Sequence, residues 1–145
     1  LDETLVFSCK IPLDRSSDFV AGPYHVYKRP FVDEFLLRTR NWFQLAVWTS
    51  SSSPYAQAVV SSLFQNPAEL AFVWASDRCT LVFDPDSLEH HPTKKLGKLK
   101  RQGYRLEHVI VVDDSPEKHS TAYGNLVRVR PYTGAPCGYS PLVDP

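Results

Sequence analysis

The chain has 145 residues, enough for one domain that buries roughly 70% of its extended surface but too few for two. Its 43% hydrophobic and 12% aromatic content excludes a disordered chain. The 16 Lys plus Arg cancel the 16 Asp plus Glu, which excludes a global attraction for nucleic acid or anionic membrane; any anion must be held by a local cluster.

In chain order, residues 1–5 read as the end of a strand, and 6–18 as an irregular loop or short insertion. A helix starts near Pro30, which can occupy a first turn ahead of Phe31, Phe35 and Leu36, with Asp33 and Glu34 at the positive end of its dipole. Residues 44–48 are a short apolar run of the kind buried on both faces of a parallel sheet. Ser53-Pro54 opens a second helix whose inward stripe is Ala56, Val59, Val60 and Leu63. A second strand follows at 70–74, then a loop or insertion at 84–92. His90 and His91 in that loop are expected to face solvent rather than bind metal. A third helix is predicted over 94–102, ended by Gly103 in the left-handed conformation. Strands at 108–112 and 126–129 complete the pattern. The tail, 131–145, has four Pro and two Gly, so it is expected to lie extended over the surface or partly disordered. Alternating apolar runs and amphipathic stretches predict an α/β fold, a three-layer sandwich around a mostly parallel sheet.

No apolar run approaches the roughly 20 residues of a bilayer span, and no basic stretch leads into an apolar core at the start, so neither a membrane span nor a signal peptide is expected. Cys9, Cys79 and Cys137 are odd in number and lack C-x-x-C spacing. They fit free thiols in a reducing, intracellular compartment, cytoplasmic or nuclear.

Ligands of open α/β sheets bind beyond the carboxyl ends of strands. Three places there carry polar residues: Asp2 to Thr4, Thr49-Ser50, and Asp113-Asp114 followed by Ser115-Pro116. The Lys94-Lys95 pair adds a cation. Singly, Thr49 is a strand-end residue satisfying backbone groups, and the lysines are a solvated helix start. Two adjacent carboxylates at a strand mouth are harder to explain without a cation nearby.

Taken in order, Asp2-Glu3-Thr4, Thr49, Lys94 and Asp113-Asp114 resemble the four motifs of the haloacid dehalogenase superfamily. Lys28-Arg29-Pro30-Phe31-Val32-Asp33-Glu34-Phe35-Leu36 and Val47-Trp48-Thr49-Ser50 extend the resemblance. They make it specific to the phosphatases acting on the C-terminal domain of RNA polymerase II and their nuclear LIM interactor-interacting factor-like relatives. The resemblance runs over residues 1–133. It implies a Rossmann-like three-layer fold with small insertions and no large cap, and a phosphatase domain of 1–133 followed by a tail of 134–145. The family's nucleophile, the first Asp of Asp-x-Asp-x-Thr, falls immediately before Leu1. The sequence is therefore expected to be a fragment lacking that residue and the central strand leading to it.

The resemblance implies a Mg²⁺-dependent phosphomonoester hydrolase working through an aspartyl-phosphate on a phosphoserine- or phosphothreonine-bearing protein. Asp2 would be the acid/base and lend its carbonyl to the metal. Asp114 would ligate Mg²⁺ with Asp113 in support. Thr49 would bind a phosphoryl oxygen, and Lys94, with Lys95 as the alternative, would neutralise phosphate charge. Thr4 would tie the first loop together. Ser50, Tyr55, Arg78 and Lys95 are candidates for the substrate-binding rim. The alternatives are a phosphate-binding scaffold without a nucleophile and a small-molecule phosphatase of the same fold. A receiver-type phosphoacceptor domain is disfavoured, because there the acidic pair lies on the first strand.

Overall fold

The computed structural model describes residues 1–85, 87–119 and 123–135. Three strands, β1 (Val6–Cys9), β2 (Phe19–Ala21) and β3 (Tyr24–Lys28), form an antiparallel sheet in the order β1-β3-β2, with Val6 opposite Lys28 and Phe19 opposite Val26. Gly22 takes positive φ (59°) in the two-residue turn between β2 and β3, where a side chain would be strained. The expectation of an irregular loop over 6–18 is thus corrected at its start: Val6–Cys9 pairs with β3 as a strand, and Val6 is fully buried.

Helix α1 (Val32–Thr39) begins two residues after Pro30, with Phe31 in a left-handed conformation (φ 64°) as its N-cap. The inward stripe is Val32 and Leu36. Phe31 and Phe35 are 78% and 41% exposed. Strand β4 (Val47–Trp48) pairs in parallel with β5 (Val73–Trp74), and between them α2 (Ser53–Leu63) buries Ala56, Val59, Val60 and Leu63 as its spacing predicts. Both strands occupy only the C-terminal part of the predicted runs. Strands β6 (Thr80–Asp84) and β7 (Glu89–Thr93) make an antiparallel hairpin where a loop was expected over 84–92. His91 in it is exposed as predicted, with Nε2 2.9 Å from Ser87 Oγ and 3.6 Å from Asp84.

Helix α3 is shorter than predicted, Gly97–Lys100, because Lys94 to Leu96 lead out of β7 before the helix starts. Gly103 does end this turn at φ 89°. A 3-10 turn over Leu106–His108 replaces the start of the predicted 108–112 strand. Strand β8 (Val111–Asp113) then pairs in parallel with β9 (Leu126–Arg128).

Among the described residues the parallel strands form two separate pairs, β4-β5 and β8-β9, rather than one sheet. Between them lies a cleft of about 570 Å³ whose walls include Leu1, Val47, Trp48, Val111 and Val112, with Lys94, Asp113 and His119 also lining it. One core joins Leu1, Val6, Val26, Val32, Leu36, Val47, Val59, Val60 and Leu63. A second gathers Trp74, Leu96 and Leu99 with Phe72, whose ring stacks on Trp74 at 4.3 Å.

Residues 131–135 belong to the packed structure. Tyr132 is buried, its N–H donates to the Glu3 carbonyl at 2.7 Å, and Arg15 donates to the Tyr132 hydroxyl and the Gly134 carbonyl. The rest of the predicted tail lies outside the described residues. Gly134 has φ 82°, and a Cβ there would meet Phe7 Cδ1 at 2.5 Å and Leu13 Cδ1 at 2.8 Å. Gly134→Ala is therefore expected to cost about 1–3 kcal/mol in urea unfolding; a loss below about 0.5 kcal/mol would show that this contact is slack.

Candidate active site

Leu1 to Leu5 fold into a tight loop because the Leu1 carbonyl accepts from the N–H of Leu5 (2.8 Å) and of Val6 (3.3 Å), while Glu3 N–H donates to Val6 (2.7 Å). Glu3 pays for this with a positive φ of 60°, a conformation that costs a non-glycine residue on the order of 1 kcal/mol. The loop is held from outside as well. Arg29 donates to the Thr4 carbonyl at 2.8 Å and to the Arg130 carbonyl at 2.7 Å, which gives the Lys28-Arg29-Pro30 string a structural purpose.

Within this loop Thr4 Oγ1 donates to Asp114 Oδ1 at 2.5 Å and lies 3.5 Å from the Asp2 carbonyl oxygen. The Asp2 carboxylate accepts from Tyr55 OH at 2.5 Å and Ser51 Oγ at 2.7 Å, with Ser8 Oγ at 3.5 Å. Burial, then the bond to Asp2, pushes the Tyr55 hydroxyl well above the usual tyrosine range, so it stays a donor. Ser51 N–H also donates to Thr49 Oγ1 at 3.1 Å, and Thr49 N–H to the Trp74 carbonyl at 2.8 Å. Thr49 is thereby fixed at the end of β4, buried and one residue from the Asp2 network.

On the other side, β8 carries Asp113 and Asp114 into the same region. Asp113 Oδ2 accepts from Lys94 Nζ at 2.5 Å and from His119 Nε2 at 3.0 Å, and Oδ1 accepts from Ser115 N–H at 3.0 Å. Lys94, Asp113 and His119 are all at most 4% exposed. Burial alone would raise the Asp113 carboxyl. The His119 bond, the charge and bond of Lys94 and the Ser115 N–H outweigh it and hold the carboxyl well below the usual range. Asp114 accepts from Ser115 Oγ at 2.9 Å on its second oxygen.

Asp2, Thr49, Lys94, Asp113, Asp114 and Tyr55 are thus brought to one place. Ser50 is half-buried next to Thr49. Lys95 is exposed, away from the bonded network. Arg78 is also exposed, with its guanidinium 5.4 Å above the Trp74 ring and its carbonyl accepting from Lys98. Sequence reasoning missed His119 and Ser8. His119 sits one 3-10 turn (Pro116–His119) past the acidic pair, and nothing in its sequence position marked it. Ser8 was hidden by reading β1 as a loop.

Among the described residues no three His, Cys, Asp or Glu side chains form a ready-made metal site. The donor chemistry nevertheless suits a hard cation. Asp114 is 6% exposed, both its oxygens take neutral hydroxyl donors, and among the described residues no Lys, Arg or His pairs with it. A nearly buried carboxylate without a counter-ion is where a divalent cation gains most, and an oxygen-only set suits Mg²⁺. Asp113 is already committed to Lys94 and His119.

The depressed Asp113 carboxyl fixes a sign. Its stabilisation is complete above the ordinary unfolded value of about 4 and is lost as pH falls below it toward the lower folded value. In urea unfolding, wild type should exceed Asp113→Asn at neutral pH and the gap should close below about pH 4; a pH-independent gap would contradict the buried ion pair.

The family model described as NLI interacting factor-like phosphatase matches residues 1–138. The chain is 35% identical over 138 residues to the human CTD small phosphatase-like protein, covering 90% of this chain and 46% of that protein. It is 32% identical over 136 residues to human carboxy-terminal domain RNA polymerase II polypeptide A small phosphatase 1, covering 89% and 48%. To fission yeast nuclear envelope morphology protein 1 it is 24% identical over 149 residues, covering 94% and 29%. The chain therefore spans about half the length of the human relatives it matches. The solved structure of Fcp1, an RNA polymerase II CTD phosphatase, superposes with a TM-score of 0.58 at 21% identity, covering 88% of this chain and 32% of that one, which shows a shared α/β fold. With the family model matched over nearly its whole length, the chain belongs to the NLI interacting factor-like phosphatase family.

Proposed function

We propose that the protein carrying this chain is a Mg²⁺-dependent phosphatase of phosphoserine or phosphothreonine in proteins, acting through an aspartyl-phosphate. The observation that carries this reading is the convergence of Asp2, bonded through Ser51 to Thr49, with Asp114, bonded to Thr4, and the buried Lys94–Asp113 pair. The nucleophile in this reading is the first aspartate of the Asp-x-Asp-x-Thr pattern, two positions before Asp2. One further parallel strand between β4-β5 and β8-β9 would join them into a single sheet of a Rossmann-like sandwich.

In this reading the aspartate oxygen attacks phosphorus, and the ester oxygen leaves with a proton from Asp2. Water then gives a proton to Asp2 as it attacks the acyl phosphate, releasing inorganic phosphate. Tyr55 and Ser51 aim the Asp2 carboxyl for both transfers. Thr49 donates to one phosphoryl oxygen and Lys94 offsets the charge of the others. Asp114 and the Asp2 carbonyl would hold the cation, which supplies charge neutralisation to the phosphoryl group. The insertions are a small sheet and a hairpin, β1–β3 and β6–β7, so a phosphorylated side chain on a protein can reach the site. Ser50, Tyr55, Arg78 and exposed Lys95 would line its rim. Homology to RNA polymerase II tail phosphatases and the half-buried free thiols Cys9 and Cys79 support an intracellular, cytoplasmic or nuclear setting. No helix among the described residues is long and apolar enough to cross a membrane.

The test is hydrolysis of an aryl phosphate and then of phosphopeptides by the full-length protein, with and without Mg²⁺. Asp114→Ala should cut turnover about 100-fold or more and raise the Mg²⁺ requirement. Asp2→Asn should leave folding intact and abolish turnover or trap the acyl phosphate. Full activity in either variant would remove that residue from its role. A wild type that binds phosphate without turning it over would favour the scaffold reading.

A further inference from the structure

His119 is the most enclosed charged or polar side chain described, 1% exposed, and no step above uses it. Its Nε2 lies 3.0 Å from Asp113 Oδ2, the same oxygen that receives Lys94 Nζ. Its Nδ1 is buried and has no hydrogen-bond partner among the described residues. Asp113 is ionised and can only accept, so Nε2 carries the proton and donates. Nδ1 then holds a lone pair, since an N–H buried there would have no acceptor among the described residues.

We propose that His119 is a positioning residue for phosphate, acting through Asp113 on Lys94. The inference rests on the phosphatase reading of this site. Asp113 Oδ2 has limited capacity, and the donor supplied by His119 competes with the lysine for it. With His119 in place, the carboxylate orients Lys94 without absorbing the whole of its charge. Without it, Asp113 Oδ2 belongs to Lys94 alone, the pair tightens in a site of low polarity, and the ammonium is less free to follow an incoming phosphoryl oxygen. The adjacent backbone bond, Lys94 N–H to the Lys118 carbonyl at 2.8 Å, ties the lysine's main chain to the turn that carries His119. Movement of the ammonium is therefore controlled through the carboxylate rather than through the backbone.

The experiment uses the full-length protein with His119→Gln, His119→Asn and His119→Phe. Two readouts apply to each variant: kcat and KM on an aryl phosphate, and the affinity for inorganic phosphate by calorimetry, with thermal unfolding alongside. Gln reaches as far as Nε2 and restores the donor, whereas Asn is polar but stops near the Nδ1 position. We expect Phe and Asn to lower kcat and weaken phosphate about tenfold each, and Gln to stay within about threefold of wild type. Should Phe fail to fold, the Asn and Gln pair still decides, because the two differ in reach and not in polarity. Equal kcat and equal phosphate affinity for Asn and Gln would overturn the proposal, as would a Phe variant matching wild type in both. A wild-type protein without turnover would count against the phosphatase reading, while the phosphate affinities would still report on His119.

Discussion

Everything at this site depends on the buried pair between Lys94 and Asp113. Taking two charges out of water costs several kcal/mol each, and the pair returns that only because additional donors complete it. Here those donors are His119 on the shared oxygen and Ser115 N–H on the other. Removing one partner from such a pair typically costs about 3–5 kcal/mol, so the end of β7, β8 and the 3-10 turn after β8 are coupled through three side chains and the Ser115 N–H. This coupling places a cation at a strand mouth that otherwise holds only carboxylates and hydroxyls.

The second constraint is the division of labour between adjacent aspartates. Asp113 and Asp114 are neighbours in sequence with opposite environments, one saturated by cationic and N–H donors and the other touched only by Thr4 and Ser115 hydroxyls. Like charges this close would ordinarily oppose each other's ionisation. The lysine settles the first, and the second is left in want of a cation. On the facing loop Asp2 is aimed by Tyr55 and Ser51, so three carboxylates end with three different tasks set by their neighbours rather than by their own chemistry.

Much of this was legible in the sequence, and the limits have physical causes. Helix α2 was readable because Ala56, Val59, Val60 and Leu63 keep a strict 3.6-residue spacing. Thr49 and the Asp113-Asp114 pair were readable because they follow the apolar runs Val47-Trp48 and Val111-Val112, whereas Asp2 and Lys94 were placed only by the order of the motifs. Strand β1 was misread because its burial falls off after Val6, leaving alternation too faint to separate from a loop. The β6–β7 hairpin was missed because His-His-Pro reads as punctuation, while pairing with Thr80–Asp84 overrides that local preference. His119 carried no signal of its own, since its role exists only through a carboxylate six residues away and a lysine from another element.

The most direct measurement is a crystal structure of the full-length protein with Mg²⁺ and inorganic phosphate. The account predicts one tetrahedral anion contacted by Thr49 and Lys94, with the metal on Asp114 and on the carbonyl of Asp2. An anion bound elsewhere, or one at this position with neither Thr49 nor Lys94 touching it, would contradict it.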